Sequence, residues 1–129
     1  MESNANLPPN LDQFITEMQK YNNVYIDSEF NIDKFAGFLG LQSYLTSKLL
    51  REKYNISFSD LKNVLRINYS IEKIKEGYLK SHTIDSLAKE SGYKGRVHFS
   101  KTFLIFTGMT ISKAIIKLNS KPYLINGKF

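Results

Sequence analysis

Apolar side chains recur at intervals of three and four along most of this chain, the spacing that gathers them on one face of an α-helix. Leu11, Phe14, Ile15 and Met18 begin the pattern, behind Pro8 and Pro9 and with Asn10 in the capping position. After the interruption YNNVYIDSEF, Asn31 caps a short helix, IDKFAGFL, with Ile32, Phe35, Ala36 and Leu39 on its apolar face and Gly40 at its end. SYLTSKLLREKY follows, burying Leu45 and either Leu49 or Leu50, and stops near Asn55, a residue type at ease in the left-handed region. Residues 59 to 80 read as one long helix through Leu61, Val64, Leu65, Ile71, Ile74 and Tyr78, capped by Ser59 and weakest at Gly77. Thr83 then caps IDSLAKES, with Ile84, Leu87 and Ala88 inward, and Gly92 closes it. GRVHFSKTFLIF turns Phe99, Phe103 and Phe106 inward and ends at Gly108, and SKAIIKL is the last helix. The expectation is an all-α chain of about seven helices.

The pattern contains a repeat. Phe35-Ala36 corresponds to Leu87-Ala88 and Leu41 to Tyr93 at an offset of 52, while Ser47-Lys48, Leu50, Asn55 and Ser57 correspond to Ser100-Lys101, Phe103, Gly108 and Thr110 at 53. One residue has been inserted in the second turn. Two copies are too few to cap a solenoid, so the simpler account is two helix-turn-helix subdomains joined by a long linker helix. The divisions are an N-terminal helix and connection (1–30), a first helix-turn-helix (31–58), the linker helix (59–80), a second helix-turn-helix with the last helix (81–118) and a tail (119–129).

Charge sharpens this picture. Residues 1–78 hold 9 Lys+Arg against 10 Asp+Glu, net −1, and residues 79–129 hold 9 against 2, net +7. No acidic side chain follows Glu90, while Lys94, Arg96, Lys101, Lys113, Lys117, Lys121 and Lys128 do, so a polyanion is the default partner. The chain has no cysteine, which excludes disulfides, thiolate metal sites and a cysteine nucleophile. His82 and His98 cannot by themselves build a zinc site, and no catalytic spacing or phosphate loop stands out, so neither enzyme activity nor a metal or cofactor is expected. No apolar run reaches the ~18 residues of a membrane span, and the expected setting is cytoplasmic.

In a helix-turn-helix the second helix presents its outer face to base edges in the major groove. With Phe99, Phe103 and Phe106 inward, the outward residues of the second unit are Arg96, Val97, Ser100, Lys101 and Leu104. Arginine bonds guanine bidentately, serine serves base or phosphate, valine packs on a thymine methyl, and Lys101, deeper along the helix, neutralises phosphate. The offset assigns Ser43, Tyr44, Ser47, Lys48 and Arg51 to the first unit, which is less basic and has Glu52 nearby. A 22-residue linker helix would span about 33 Å, close to the ~34 Å between successive major grooves on one face of B-DNA. His98 beside that face reads as structural or merely exposed.

These residues carry a resemblance. TIDSLAKESGYKGRVHFSKTFLIFTGMTIS resembles the C-terminal half of the AraC/XylS-type DNA-binding domain, and YLTSKLLREKYNISFSDLKNVLRINYSIEKI resembles its first recognition helix and linker, including Leu65-Arg66-Ile67. The likeness runs from about Ile32 to Leu118 and is the more specific in its second half. Arg66 matches that family's linker arginine, which implies an internal anchor for the linker rather than a base reader. It implies a seven-helix domain that regulates transcription by binding double-stranded DNA sequence-specifically. RNA polymerase and a sensor domain outside this chain are further candidate partners. Three positions depart from the pattern: Ile111 replaces a proline, Gly95 a capping serine, and Thr46 a buried leucine. Either the Thr46 hydroxyl finds a partner in the core, or the helix turns by one residue to bring Leu45 inward. The weak first unit leaves an alternative reading, a protein-interaction module built on a degenerate helix-turn-helix fold.

Overall fold

The computed structural model describes residues 15, 16, 18 and 23–118. Among these every regular element is helical: α1 (Ile32–Leu39), α2 (Ser43–Tyr54), α3 (Phe58–Lys75), α4 (Ile84–Glu90), α5 (Arg96–Thr107) and α6 (Ile111–Lys117), with 3-10 turns at Val24–Ile26 and Tyr78–Lys80. Most of the helix expected after Asn10, and the tail from 119, lie outside the described residues. Of that first helix Ile15 and Met18 are described, and both are buried.

Local chemistry sets the boundaries. Asn31 Oδ1 accepts the Lys34 amide at 2.9 Å, and Thr83 Oγ1 accepts that of Ser86 at 3.0 Å, so both expected caps act as such. The cap of α3 is Ser57 rather than Ser59: its hydroxyl accepts the Asp60 amide at 3.0 Å, and the helix begins at Phe58. Thr110 caps α6 in the same way, so the helix starts at Ile111 without the proline, and Ile111 is itself buried. The linker helix closes at Lys75 instead of continuing to Lys80. Gly77 adopts φ +91°, a left-handed turn that an α-helix cannot contain, and the chain goes on as the 3-10 turn. Eighteen residues give α3 a length of about 27 Å, short of the 33 Å that an unbroken helix would reach.

The interior is divided into two cores, and α3 serves both. Leu61 and Leu65 join Ile15, Met18, Tyr25, Phe30, Phe35, Leu50 and Ile56 in the first lobe. One turn further on, Ile67, Ile71 and Ile74 join Leu87, Ala88, Tyr93, Phe99, Phe103, Ile111, Ala114 and Leu118 in the second. A single amphipathic helix thus seeds two hydrophobic clusters, each holding one helix-turn-helix unit: α1–α2 in the first lobe and α4–α5 in the second. The repeat offset survives in three dimensions. Asn55 (φ 57°) and Gly108 (φ 77°) end the second helix of each unit with the same left-handed cap. No single helix among the described residues is long and apolar enough to cross a membrane.

Candidate nucleic-acid interface

The face of α5 follows from what anchors it. Phe99 and Phe103 are fully buried, with ring centroids 5.9 Å apart in edge-on contact, and Tyr93 packs against Phe99 at 5.5 Å. Thr102 and Thr107 complete the buried side, and Thr107 donates its hydroxyl to Phe103 O at 2.7 Å, so the threonine is satisfied within its own helix. Phe106 is only half-buried, at the margin of the core. With that side fixed, Arg96, Val97, Lys101 and Leu104 are exposed and Ser100 lies half-buried at the flank. Val97 is 67 % exposed, a strong outward display for a β-branched apolar residue on a helix. Arg96 and Lys101 make no hydrogen bond or ion pair among the described residues, which leaves both charges free for a ligand.

A shallow open depression of about 340 Å³ adjoins this face, and Arg96, Ser100 and Lys101 share it with Ile84, Thr110 and Ser112. The start of α6 is therefore part of the same surface, as the sequence reading did not foresee. The only signal for it was the correspondence of Thr110 with Ser57 at the repeat offset. His98 sits exposed with its ring edge-on to Tyr93 at 5.2 Å, consistent with a packing role.

On α2 the register holds. Thr46 is 1 % exposed, and its hydroxyl donates to Gln42 O at 2.9 Å, so the buried polar atom is satisfied and Leu45 stays half-buried. Leu50, not Leu49, is the buried member of that pair. Tyr44, Ser47, Lys48 and Arg51 are exposed, Tyr44 at 76 %. Lys48 and Arg51 form no ion pair among the described residues. Ser43 is the exception to the expected open face: it is half-buried and its hydroxyl donates to the Asp33 carboxylate of α1. That contact places a negative charge at the start of α2, where the free N–H groups of the helix favour it.

Among the described residues no group of three His, Cys, Asp or Glu is placed to hold a metal ion. The strongest electrostatic perturbations lie between the lobes. Burial pulls Arg66 below the usual arginine value, opposed by Tyr93 and Asp27, and pulls Lys62 below the usual lysine value, with Arg66 adding to the effect. Burial pushes the Tyr25 phenol up to about 12 and raises those of Tyr69 and Tyr93 as well, Tyr69 also through its hydrogen bond to Glu90.

No protein-family model matches the sequence, and no curated protein does either. Solved structures do match in three dimensions. The chain is similar to an AraC-type DNA-binding domain-containing transcriptional regulator from Chromobacterium violaceum, with 17 % identity and a TM-score of 0.71 over 88 % of this chain and 96 % of that one. It is similar to the C-terminal domain of AraT, a response regulator from Geobacillus stearothermophilus, with 20 % identity and a TM-score of 0.69 over 84 % and 85 % of the two chains. A DNA-binding transcriptional dual regulator from Escherichia coli K-12 matches with 23 % identity and a TM-score of 0.67 over 83 % and 93 %. At such identities the likeness is one of architecture, and the fold of this chain is that of the AraC-type DNA-binding domain.

Proposed function

We propose that the chain binds double-stranded DNA sequence-specifically and regulates transcription, with α5 as the principal reading helix and α2 as the second. The observation that carries this is the face of α5: two unpaired cations, Arg96 and Lys101, and an outward Val97 stand on a helix locked from behind by Phe99 and Phe103. Rigid support matters because a bidentate contact to a base edge needs its donor held to within a fraction of an ångström. The fold adds support, since solved proteins of the same architecture are DNA-binding regulators. Arg96, Val97 and Ser100 read bases, Lys101 holds the backbone, and Tyr44, Ser47, Lys48 and Arg51 engage the neighbouring half of the site. Ser43, tied to Asp33, contributes least.

Fluorescence anisotropy over a salt series tests the reading. Neutralising ~6 phosphates gives a log–log slope near −5, and a flat response overturns the proposal. With a site selected from a random pool, Arg96→Ala should relax preference among sequences at a cost of about 1–3 kcal/mol, while Lys101→Ala should weaken binding to all of them. Recovery of no preferred site from the pool would favour the protein-interaction module instead, for which the Asp33–Ser43 contact and Glu52 on the first unit are the supporting features.

A further inference from the structure

The two lobes have separate cores and share α3, so their mutual orientation depends on that helix and on the few groups that cross beside it. One stands out. Arg66, midway along α3, is 4 % exposed. Its Nε donates to Tyr25 O at 2.6 Å and its Nη2 to Asp27 O at 2.9 Å, which ties α3 to the 3-10 turn of the first lobe. The same guanidinium lies over the Tyr93 ring of the second lobe, 5.3 Å from its centroid. One planar cation is shared by both halves.

The backbone beside it is as closely fitted. Gly92, at φ +101°, leaves no room for a side chain: a Cβ there would come within 2.7 Å of Arg66 Nε and 3.0 Å of the Cα and carbonyl oxygen of Ile26. Backbone of the second lobe therefore abuts backbone of the first, and the guanidinium seals the seam. Further contacts run in parallel. The Tyr93 hydroxyl donates to Asn63 Oδ1 at 2.7 Å. Tyr69 donates to Glu90 at 3.0 Å and meets Tyr25 edge-on at 6.3 Å.

We propose that Arg66 and Gly92 form an orientation clamp that holds the two reading helices as one rigid pair, making Arg66 a positioning residue that sets the spacing the protein demands between the halves of its DNA site. This rests on the DNA-binding reading above. A buried arginine cannot itself reach a base, so its influence on recognition passes through geometry. With the seam closed, one extra base pair turns the second half-site away by about a tenth of a helical turn, and a rigid pair cannot follow. With the seam open, only α3 still joins the lobes, and as that helix bends, binding falls more gently with spacing.

The experiment uses the full chain and two readouts. The first is the affinity for a selected site, for the same site with one inserted base pair, and for the half recognised by α5 alone. The parent should lose about 100-fold on insertion, as expected when simultaneous engagement is forbidden. Arg66→Met and Gly92→Ala should lose less than about 5-fold while binding the half-site as the parent does. Arg66→Lys, which keeps the charge but not the two-pronged geometry, should fall between. A parent-like spacing profile in Arg66→Met overturns the clamp, and so does a parallel loss of half-site affinity, which would mark simple damage to the fold.

The second readout needs no DNA. The chain has no cysteine, so spin labels at Glu52→Cys and Ile105→Cys, both exposed and one on each reading helix, report the distance between the lobes. The parent should give one narrow distance distribution, and Arg66→Met or Arg66→Lys a broad one. A broad distribution in the parent, or an equally narrow one in the folded variants, overturns the clamp even if the DNA-binding reading stands. A protein that selects no DNA site but keeps a narrow parent distance, broadened in the variants, refutes the DNA reading and leaves the clamp.

Discussion

The two halves of this protein share a backbone plan and fill it differently. Position for position, Thr46 stands where Phe99 does and Leu50 where Phe103 does, and all four are buried. The second lobe builds its centre from aromatic residues of its own unit, Tyr93, Phe99 and Phe103. Of the aromatic residues of α1 and α2 only Phe35 is buried, and further bulk comes from outside those two helices: Phe30 packs on Phe35 at 6.2 Å, and Phe58, at the start of α3, on Phe30 and Phe35 at 5.4 and 5.5 Å. Tyr25, Ile15 and Met18 complete the set. The outer faces diverge in the same sense, with α5 offering free Arg96 and Lys101 while the start of α2 is occupied by the Asp33–Ser43 bond. A helix-turn-helix is thus a geometry that several cores can support, and its reading face is specified separately.

The sharpest way to break this comparison is at the paired core positions. Phe99→Ala should cost about 3–5 kcal/mol, whereas Thr46→Ala, which removes one methyl and a hydroxyl bonded within its own helix, should cost about 1 kcal/mol. Equal losses in urea unfolding would mean that the lobes do not divide their packing as described. Phe30→Ala, outside the repeat, should approach the Phe99 value, about 3 kcal/mol, and its effect on amide exchange should centre on the first lobe.

Next in size is a pH effect at the seam that both lobes share. Folding raises the Tyr25 phenol from its ordinary value of 10.0 to about 12, so the folded state holds its proton the more tightly. The associated stability is complete below about pH 10 and is lost as pH rises toward 12, a change of about 2–3 kcal/mol. Tyr25→Phe should reduce the slope of thermal midpoint against pH in that window; an unchanged slope would place its origin in Tyr69 and Tyr93 alone.

For binding, Arg96→Ala should cost about 1–3 kcal/mol at the selected site and Ser43→Ala, its counterpart by the offset, less than about 0.5 kcal/mol. A larger effect at Ser43 would show that the Asp33 contact opens on DNA. Opposite in sign is the effect at Ser91, fully buried with no partner for its hydroxyl among the described residues, while Leu39, its counterpart, carries no polar group. Ser91→Ala should raise stability by up to about 1 kcal/mol in thermal or urea unfolding, because the hydroxyl loses water on folding and regains no bond.

What was legible along the chain is what depends on neighbours a few residues away. The apolar face of α1, the limits of α1 and α2 at Leu39 and Tyr54, the caps at Asn31 and Thr83 and the left-handed closure at Asn55 all follow from side chains within one or two turns, whereas the inward face of α2 is Thr46 and Leu50 rather than the expected Leu45. The outward face of α5 followed too, since two buried phenylalanines four apart fix the rotation of a helix. The cap of α3 did not follow: Ser57 holds it in place of the expected Ser59, because two serines two residues apart compete and only the backbone path chooses.

By itself, then, the sequence determined an all-helical chain, its internal repeat, a basic second half and the residues that a reading helix would display. Tertiary structure decided the rest: where α3 breaks, that Thr46 stays inward with its hydroxyl donating a hydrogen bond to Gln42 O, that Asp33 occupies Ser43, and that Arg66 meets carbonyls some 40 residues earlier and a ring 27 residues later. Periodicity records which side of a helix is apolar, because that is a property of local geometry. It carries no record of which distant backbone comes to lie beside a buried charge, because that depends on how two separately formed cores are pressed together.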